Sequence, residues 1–141
     1  MIRTLRGQFE EDVPKRLILD DGQLNQGYIV RKFVVCGDPD SSANDCSAFL
    51  QTGITNNKWN WGDNRQIAWA STNIASLQGM NAPFSVIDPE HIVLQDLFIN
   101  GRFATAGIVG NINYLIELEP KTLTDDQAVM TLIKERSQDD I

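Results

Sequence analysis

The stretch Asn111-Ile112-Asn113-Tyr114-Leu115-Ile116-Glu117-Leu118-Glu119 decides the fold class of this chain. Its even-numbered positions are all apolar, and its odd-numbered positions are polar except for Leu115. Successive side chains of a β-strand point to opposite faces, so this alternation is typical of a strand with one face on a core and the other toward solvent. The stretch therefore predicts a β-protein.

Six further segments show strand patterns. Residues 28–35 and 91–100 carry apolar side chains on both faces, as expected of strands covered on both sides, and we expect 91–100 to be central. The shorter or weaker segments are 2–9, 16–20, 46–52 and 65–71. Residues 71–86, which include Pro83, are predicted to be irregular. This series of short strands predicts a two-layer β-sandwich or jelly roll, folded as one domain over residues 1–141.

Glycine-rich connections predict two hairpins. Residues 16–20 are joined to residues 28–35 by Asp21-Gly22 and Asn25-Gln26-Gly27, whose glycines allow the positive φ angles of hairpin turns. The segment 101–110 contains three glycines between two strong strand patterns. We expect it to be a flexible hairpin tip.

One helix is predicted over residues 125–137. Thr124 and Gln127 have the spacing of a capping box, in which each side chain binds a backbone amide of the other residue. Helical spacing places Ala128, Val129, Leu132 and Ile133 on one face. That face is expected to dock on the sheet or on a neighbouring subunit.

The composition is that of a globular protein. Of the 141 residues, 42% are hydrophobic and 22% are charged, which is enough apolar material for one core. The formal net charge of −7 argues against non-specific binding to nucleic acid or anionic membranes, because both require basic residues. The sequence shows no apolar stretch of signal-peptide or membrane-spanning length, so we expect synthesis in a cytoplasm. Cys36 and Cys46 are then expected to be reduced thiols.

No residue pattern predicts a catalytic, cofactor or metal site. His91 is the only histidine, and no Gly-x-Ser-x-Gly motif provides a nucleophile, so His91 is interpreted as a half-exposed residue at a strand start. The alternating polar residues Asp38, Asp40, Ser42 and Asn44 resemble the start of a calcium loop. The match then fails, because Ala43 replaces the turn glycine and Phe49 replaces the closing glutamate. We expect a non-enzymatic protein without a cofactor.

The tryptophans offer one candidate ligand site. Trp59, Trp61 and Trp69 lie close to Asn60, Asp63 and Asn64, a composition that suits the stacking of sugar rings on an aromatic platform. A carbohydrate-binding module of a virion or tail-fibre protein is therefore the alternative function, provided that Trp59 and Trp61 are exposed. A core or subunit-interface role for these residues is the favoured interpretation.

Several stretches together resemble small β-sandwich virion structural proteins of marine tailed phages, of the head-decoration or cement type. The resemblance implies a virion protein made in a host cytoplasm and acting through subunit contacts, with no chemistry of its own. An acidic surface suits the outside of a shell better than a face packed on DNA. The stretches are Pro14-Lys15-Arg16-Leu17-Ile18-Leu19, Gly62-Asp63-Asn64-Arg65-Gln66-Ile67-Ala68-Trp69-Ala70-Ser71, Val93-Leu94-Gln95-Asp96-Leu97, Asn113-Tyr114-Leu115-Ile116-Glu117 and Lys134-Glu135-Arg136-Ser137-Gln138.

Self-association is the leading expectation for function. The expected partners are further copies of the chain, in a closed homo-oligomer such as a trimer, and a major capsid or other virion protein. Nucleic acid and membranes are not expected partners. Position and amphipathicity place the contacts in segment 1–9, loop 101–110 and helix 125–137, with Leu5, Phe9, Val129, Leu132 and Ile133 as the candidate contact residues.

Overall fold

The computed structural model describes residues 2–19, 26–38, 45–54, 57–75, 80–94, 96–104, 110–124 and 126–131. These residues form two packed antiparallel sheets and a short helix, so the predicted two-layer β-sandwich is confirmed. The strands are β1 Arg3–Glu10, β2 Lys15–Ile18, β3 Gln26–Asp38, β4 Cys46–Gln51, β5 Gln66–Ala75, β6 Met80–Ile87, β7 Asp96–Phe103 and β8 Asn111–Thr122. Cys36 is half-buried and Cys46 is buried.

The smaller sheet has the order β1-β8-β3, with β8 at its centre. The alternation predicted for 111–119 is confirmed, because Ile112, Ile116 and Leu118 are fully buried in the core. A bulge between Val30 and Lys32 shifts the register of β3 against β8. An extra residue in a strand reverses the side-chain alternation beyond it. Simple alternation therefore does not hold along β3, and the core receives Tyr28 and Val30 before the bulge and Phe33 and Val35 after it.

The larger sheet has the order β2-β7-β4-β5-β6. The strand predicted over residues 91–100 begins later, at Asp96, as β7. β7 is an inner strand between β2 and β4, but the central strand of the five is β4. Val93 instead makes an isolated bridge to Tyr28 of the other sheet, with two backbone hydrogen bonds of 2.9 and 2.8 Å. This segment therefore connects the two sheets before it enters β7.

Both predicted hairpins were wrong. β2 pairs with β7 and β3 pairs with β8, so the chain changes sheet between β2 and β3, and again between β7 and β8. Turn residues allow the chain to reverse, but they do not determine which strands pair with each other. Gly101 lies inside β7, where a Cβ atom would come 2.5 Å from the Ser47 carbonyl oxygen. This glycine therefore permits a close approach of β7 to β4.

The region 71–86, predicted to be irregular, contains the end of β5 and nearly all of β6, which pair with each other. Pro83 lies on β6, the end strand of the larger sheet, opposite Thr72 of β5. A proline lacks the amide for a ladder hydrogen bond and is tolerated on a sheet edge. Proline at this position therefore misled the prediction.

The helix prediction is confirmed over the described residues 126–131. The Gln127 amide donates to Thr124 Oγ1 at 3.2 Å, and the Thr124 amide donates to Gln127 Oε1 at 3.1 Å, which completes the capping box. Ala128 is buried in a small cluster with Leu94 and Leu123. Val129 is 45% exposed, whereas Leu132 and Ile133 lie outside the described residues.

Candidate functional site

An aromatic cluster lies on the outward face of the larger sheet. Ala48 and Ala70 belong to the core, so Phe49 and Trp69, their neighbours on β4 and β5, face away from it. Phe49 and Trp69 are nevertheless buried and stand opposite each other in the register. The connection between β4 and β5 supplies Trp59 and Trp61, and β6 supplies Phe84. We call Trp59, Trp61, Trp69 and Phe84 the aromatic cluster.

The rings of the aromatic cluster form a continuous row. Trp61 stacks on Trp69 with a centroid distance of 4.4 Å and an interplanar angle of 9°. Trp59 meets Trp61 edge-on at 6.2 Å, and Phe84 stacks on Trp59 at 6.0 Å. Trp69 is buried, Trp59 is half-buried and Trp61 is 56% exposed. The row therefore begins at the buried Trp69, and Trp61, which stacks on it, is exposed to solvent.

Hydrogen bonds from the buried Gln66 fix the row to the sheet. Gln66 Oε1 accepts from Trp69 Nε1 at 2.9 Å and from the Asn60 amide at 2.8 Å. Its Nε2 donates to the Lys58 carbonyl at 2.9 Å. Trp59 Nε1 donates to the Ala48 carbonyl at 3.1 Å. The indole N–H groups of Trp59 and Trp69 therefore both have an acceptor, which fixes the orientation of these two rings.

The turn after Trp61 is held by an ion pair. Arg65 Nε lies 3.1 Å from Asp63 Oδ1, and both side chains are almost completely buried. The same carboxylate oxygen accepts from the Arg65 amide at 3.0 Å. Removing either partner of a buried ion pair leaves an uncompensated charge, so this pair stabilises the observed conformation of the turn.

A cavity of about 260 Å³ opens beside Trp61. Its walls are largely polar, and its lining residues are Trp61, Asp63, Asn64, Gln66, Trp69, Asp88 and His91. Asn64 and Asp88 are exposed at its rim, and His91 is half-buried. Asp88 Oδ1 accepts from the Glu90 amide at 3.2 Å, which orients the carboxylate.

The structure brings together Trp59, Trp61 and Trp69, as the platform hypothesis requires. They approach through a connection rather than along one strand face, and only Trp61 is well exposed. Sequence reasoning missed Phe84, Gln66 and Asp88. The signal for Phe84 is the β5–β6 register, which places it opposite Ser71, and a single sequence does not show that pairing.

His91 lines the cavity beside Trp61. The described residues that line the cavity beside it include no serine, threonine or cysteine. Within the described ranges, no three histidine, cysteine or acidic side chains are grouped to hold a metal ion. The calcium-like segment lies mostly outside them, at residues 39–44.

A second surface lies where β1 and β2 end the two sheets. The two strands are joined by residues 11–14, so their outer edges lie on the same side of the sandwich. Lys15 Nζ donates to the Gln8 carbonyl at 3.1 Å across the junction. Ile18 on β2 is 62% exposed, and Ile2 and Val13 beside the strands are also exposed. We call this surface, residues 2–18, the β1–β2 edge.

The candidate assembly residues differ in location. Phe9 is 4% exposed and belongs to the core, so its side chain offers no surface to another folded subunit. Leu5 packs against the same core and is half-buried. Val129 is accessible on the helix, next to Met130, which lines a largely apolar cavity of about 380 Å³.

No protein-family model, curated protein or solved structure matches this chain. In the part of the chain that the structure describes, no helix is long and apolar enough to cross a membrane.

Proposed function

We propose that this protein is a non-enzymatic structural protein of a tailed-phage particle that acts in capsid decoration or cementing. The observation that supports the proposal is the β1–β2 edge, where both sheets end on one side of the sandwich beside exposed Ile2, Val13 and Ile18. Strand edges with exposed apolar side chains are surfaces that pair with other chains. The resemblance to virion proteins supplies the biological setting.

Charge on this edge restricts what it pairs with. β1 exposes Arg3 and Arg6 near its start and Glu10 at its end. Charged side chains on an edge strand oppose indiscriminate strand addition, so a partner must match them in charge. The protein carries a net charge of −7, so the positive charges of Arg3 and Arg6 differ from the overall negative charge of the protein. A contact here would therefore be selective for a complementary strand or surface.

The edge is well separated from the aromatic cluster. β2 is at one end of the larger sheet, and β5 and β6, which carry Trp69 and Phe84, are at the other end. Assembly through the β1–β2 edge would leave the aromatic cluster accessible. The protein would then be attached by one side and present the other.

Replacing Ile18 by lysine tests the proposal. Light scattering behind a sizing column should give a closed oligomer for the wild-type chain, and Ile18→Lys should weaken its association at least tenfold, because the change places a charge in an apolar contact. Ile54→Lys is the matched control, since Ile54 is equally exposed but lies in the β4–β5 connection. It should assemble like the wild type.

Two separate results would contradict the proposal. A wild-type chain that is monomeric at all concentrations and also fails to co-sediment with tailed-phage capsids is not a decoration protein. An oligomer that Ile18→Lys and Ile54→Lys affect equally would show that the β1–β2 edge is not the contact.

A further inference from the structure

We infer that the aromatic cluster and the adjoining cavity bind the sugar residues of an uncharged glycan. The main observation is that Trp61 is 56% exposed although its ring stacks on the buried Trp69. A large aromatic ring in solvent at the mouth of a polar cavity is a recognition surface rather than part of a core.

The platform is preorganised. One face of Trp61 lies on Trp69, and Trp69 is held in turn by its hydrogen bond to Gln66. The turn that follows is held by the buried Asp63–Arg65 pair. A ring that is already ordered loses little conformational entropy when a ligand stacks on it. The fixed indole therefore favours binding beyond its contact area alone.

The chemistry around the ring matches a pyranose. Such a sugar has an apolar face of C–H groups and a rim of hydroxyl groups, so it requires a flat apolar surface with polar side chains at its margin. Trp61 provides the surface, and Asn64 and Asp88 provide an amide and a carboxylate at the rim of the cavity. An amide donates and accepts, and a carboxylate accepts from hydroxyl groups. The cavity of about 260 Å³ is small enough to suit a single sugar residue.

The row of rings extends the site beyond this residue. Trp59 and exposed Phe84 continue from Trp61 along the surface. Further residues of an oligosaccharide would lie along them. A glycan chain is therefore a better ligand than a free monosaccharide.

Charge selects against acidic sugars. The described lining residues of the cavity include the carboxylates of Asp63 and Asp88 and neither lysine nor arginine. Arg65 already neutralises Asp63, but Asp88 is exposed and the whole protein carries a net charge of −7. Carboxylate and sulfate groups on a sugar would be repelled. The ligand class is therefore a neutral pyranose oligosaccharide.

A glycan array with neutral, sialylated and sulfated members, followed by calorimetric titration of the best neutral oligosaccharide, tests the inference. Trp61→Ala should weaken binding at least tenfold and Trp61→Phe less, while Asp88→Ala should weaken it severalfold without disturbing the ring stack. Ile54→Ala is the matched control, because it removes an exposed apolar side chain from the same connection outside the cluster. In the wild type, the bound oligosaccharide should also protect tryptophan fluorescence from iodide quenching.

Absence of binding to every neutral glycan would overturn the inference, as would Trp61→Ala binding as tightly as Ile54→Ala. Preference for sialylated or sulfated members would overturn the assignment to neutral sugars. None of these results bears on assembly, because Ile18→Lys probes β2, at the opposite end of the larger sheet from the aromatic cluster.

Discussion

At the residue scale, two hydroxyl groups hold the outer edge of β3. Thr72 Oγ1 on β5 donates to the Val35 carbonyl, and Ser85 Oγ on β6 donates to the Phe33 carbonyl at 2.7 Å. β3 ends the smaller sheet, so carbonyls on its outer side have no neighbouring strand within that sheet. Buried carbonyl groups need a hydrogen-bond donor. Side chains of the larger sheet supply it and join the two layers on this side.

We expect Thr72→Val to lower the free energy of unfolding by about 1–3 kcal/mol, because the isosteric valine leaves a buried carbonyl without its donor. Urea unfolding at constant m-value measures the loss. Ser71→Ala is the control, since Ser71 is the next residue on β5 and faces outward. An equal loss in both variants would contradict the role of the Thr72 hydroxyl.

At the element scale, strands with clear alternation were predictable and their partners were not. The period-2 pattern identified β8, whereas β6 was missed because Pro83 and the weak pattern around it are tolerated on a sheet edge. The bulge at Arg31 reversed the faces of β3 without any local signal in the sequence. The tryptophans of the candidate site were likewise predictable, whereas their contacts were not. Trp59 and Trp61 are visible in the sequence, but their contact with Trp69 and Phe84 depends on how β4, β5 and β6 pair.

The helix is the element whose local signals were most complete. Thr124→Ala should destabilise it by about 1 kcal/mol, because the change removes the acceptor for the Gln127 amide. Hydrogen exchange of the amides in residues 126–131 should accelerate about fivefold, while β8 stays protected. Thr122→Ala, at the exposed end of β8, is the matched control. Unchanged exchange in Thr124→Ala would mean that Ala128 docking alone holds the helix.

At the scale of the whole molecule, the chain passes repeatedly between the sheets. β1, β3 and β8 form one sheet, while β2, β4, β5, β6 and β7 form the other. Phe33 of the smaller sheet and Leu50 of the larger sheet belong to one continuous core cluster. Neither sheet covers its apolar face without the other. The sandwich should therefore unfold as one cooperative unit.

The tryptophans allow this cooperativity to be measured, because all three belong to the larger sheet or its β4–β5 connection. Phe33→Leu creates a small cavity on β3, in the other sheet, and should cost about 1–2 kcal/mol. If the chain is a single domain, the urea midpoint by tryptophan fluorescence should fall by the same amount as the midpoint by far-ultraviolet circular dichroism. Val34→Ala, at the adjacent half-buried position, should shift both midpoints less. A tryptophan midpoint that stays constant in Phe33→Leu while the dichroism midpoint falls would show that the two sheets unfold independently.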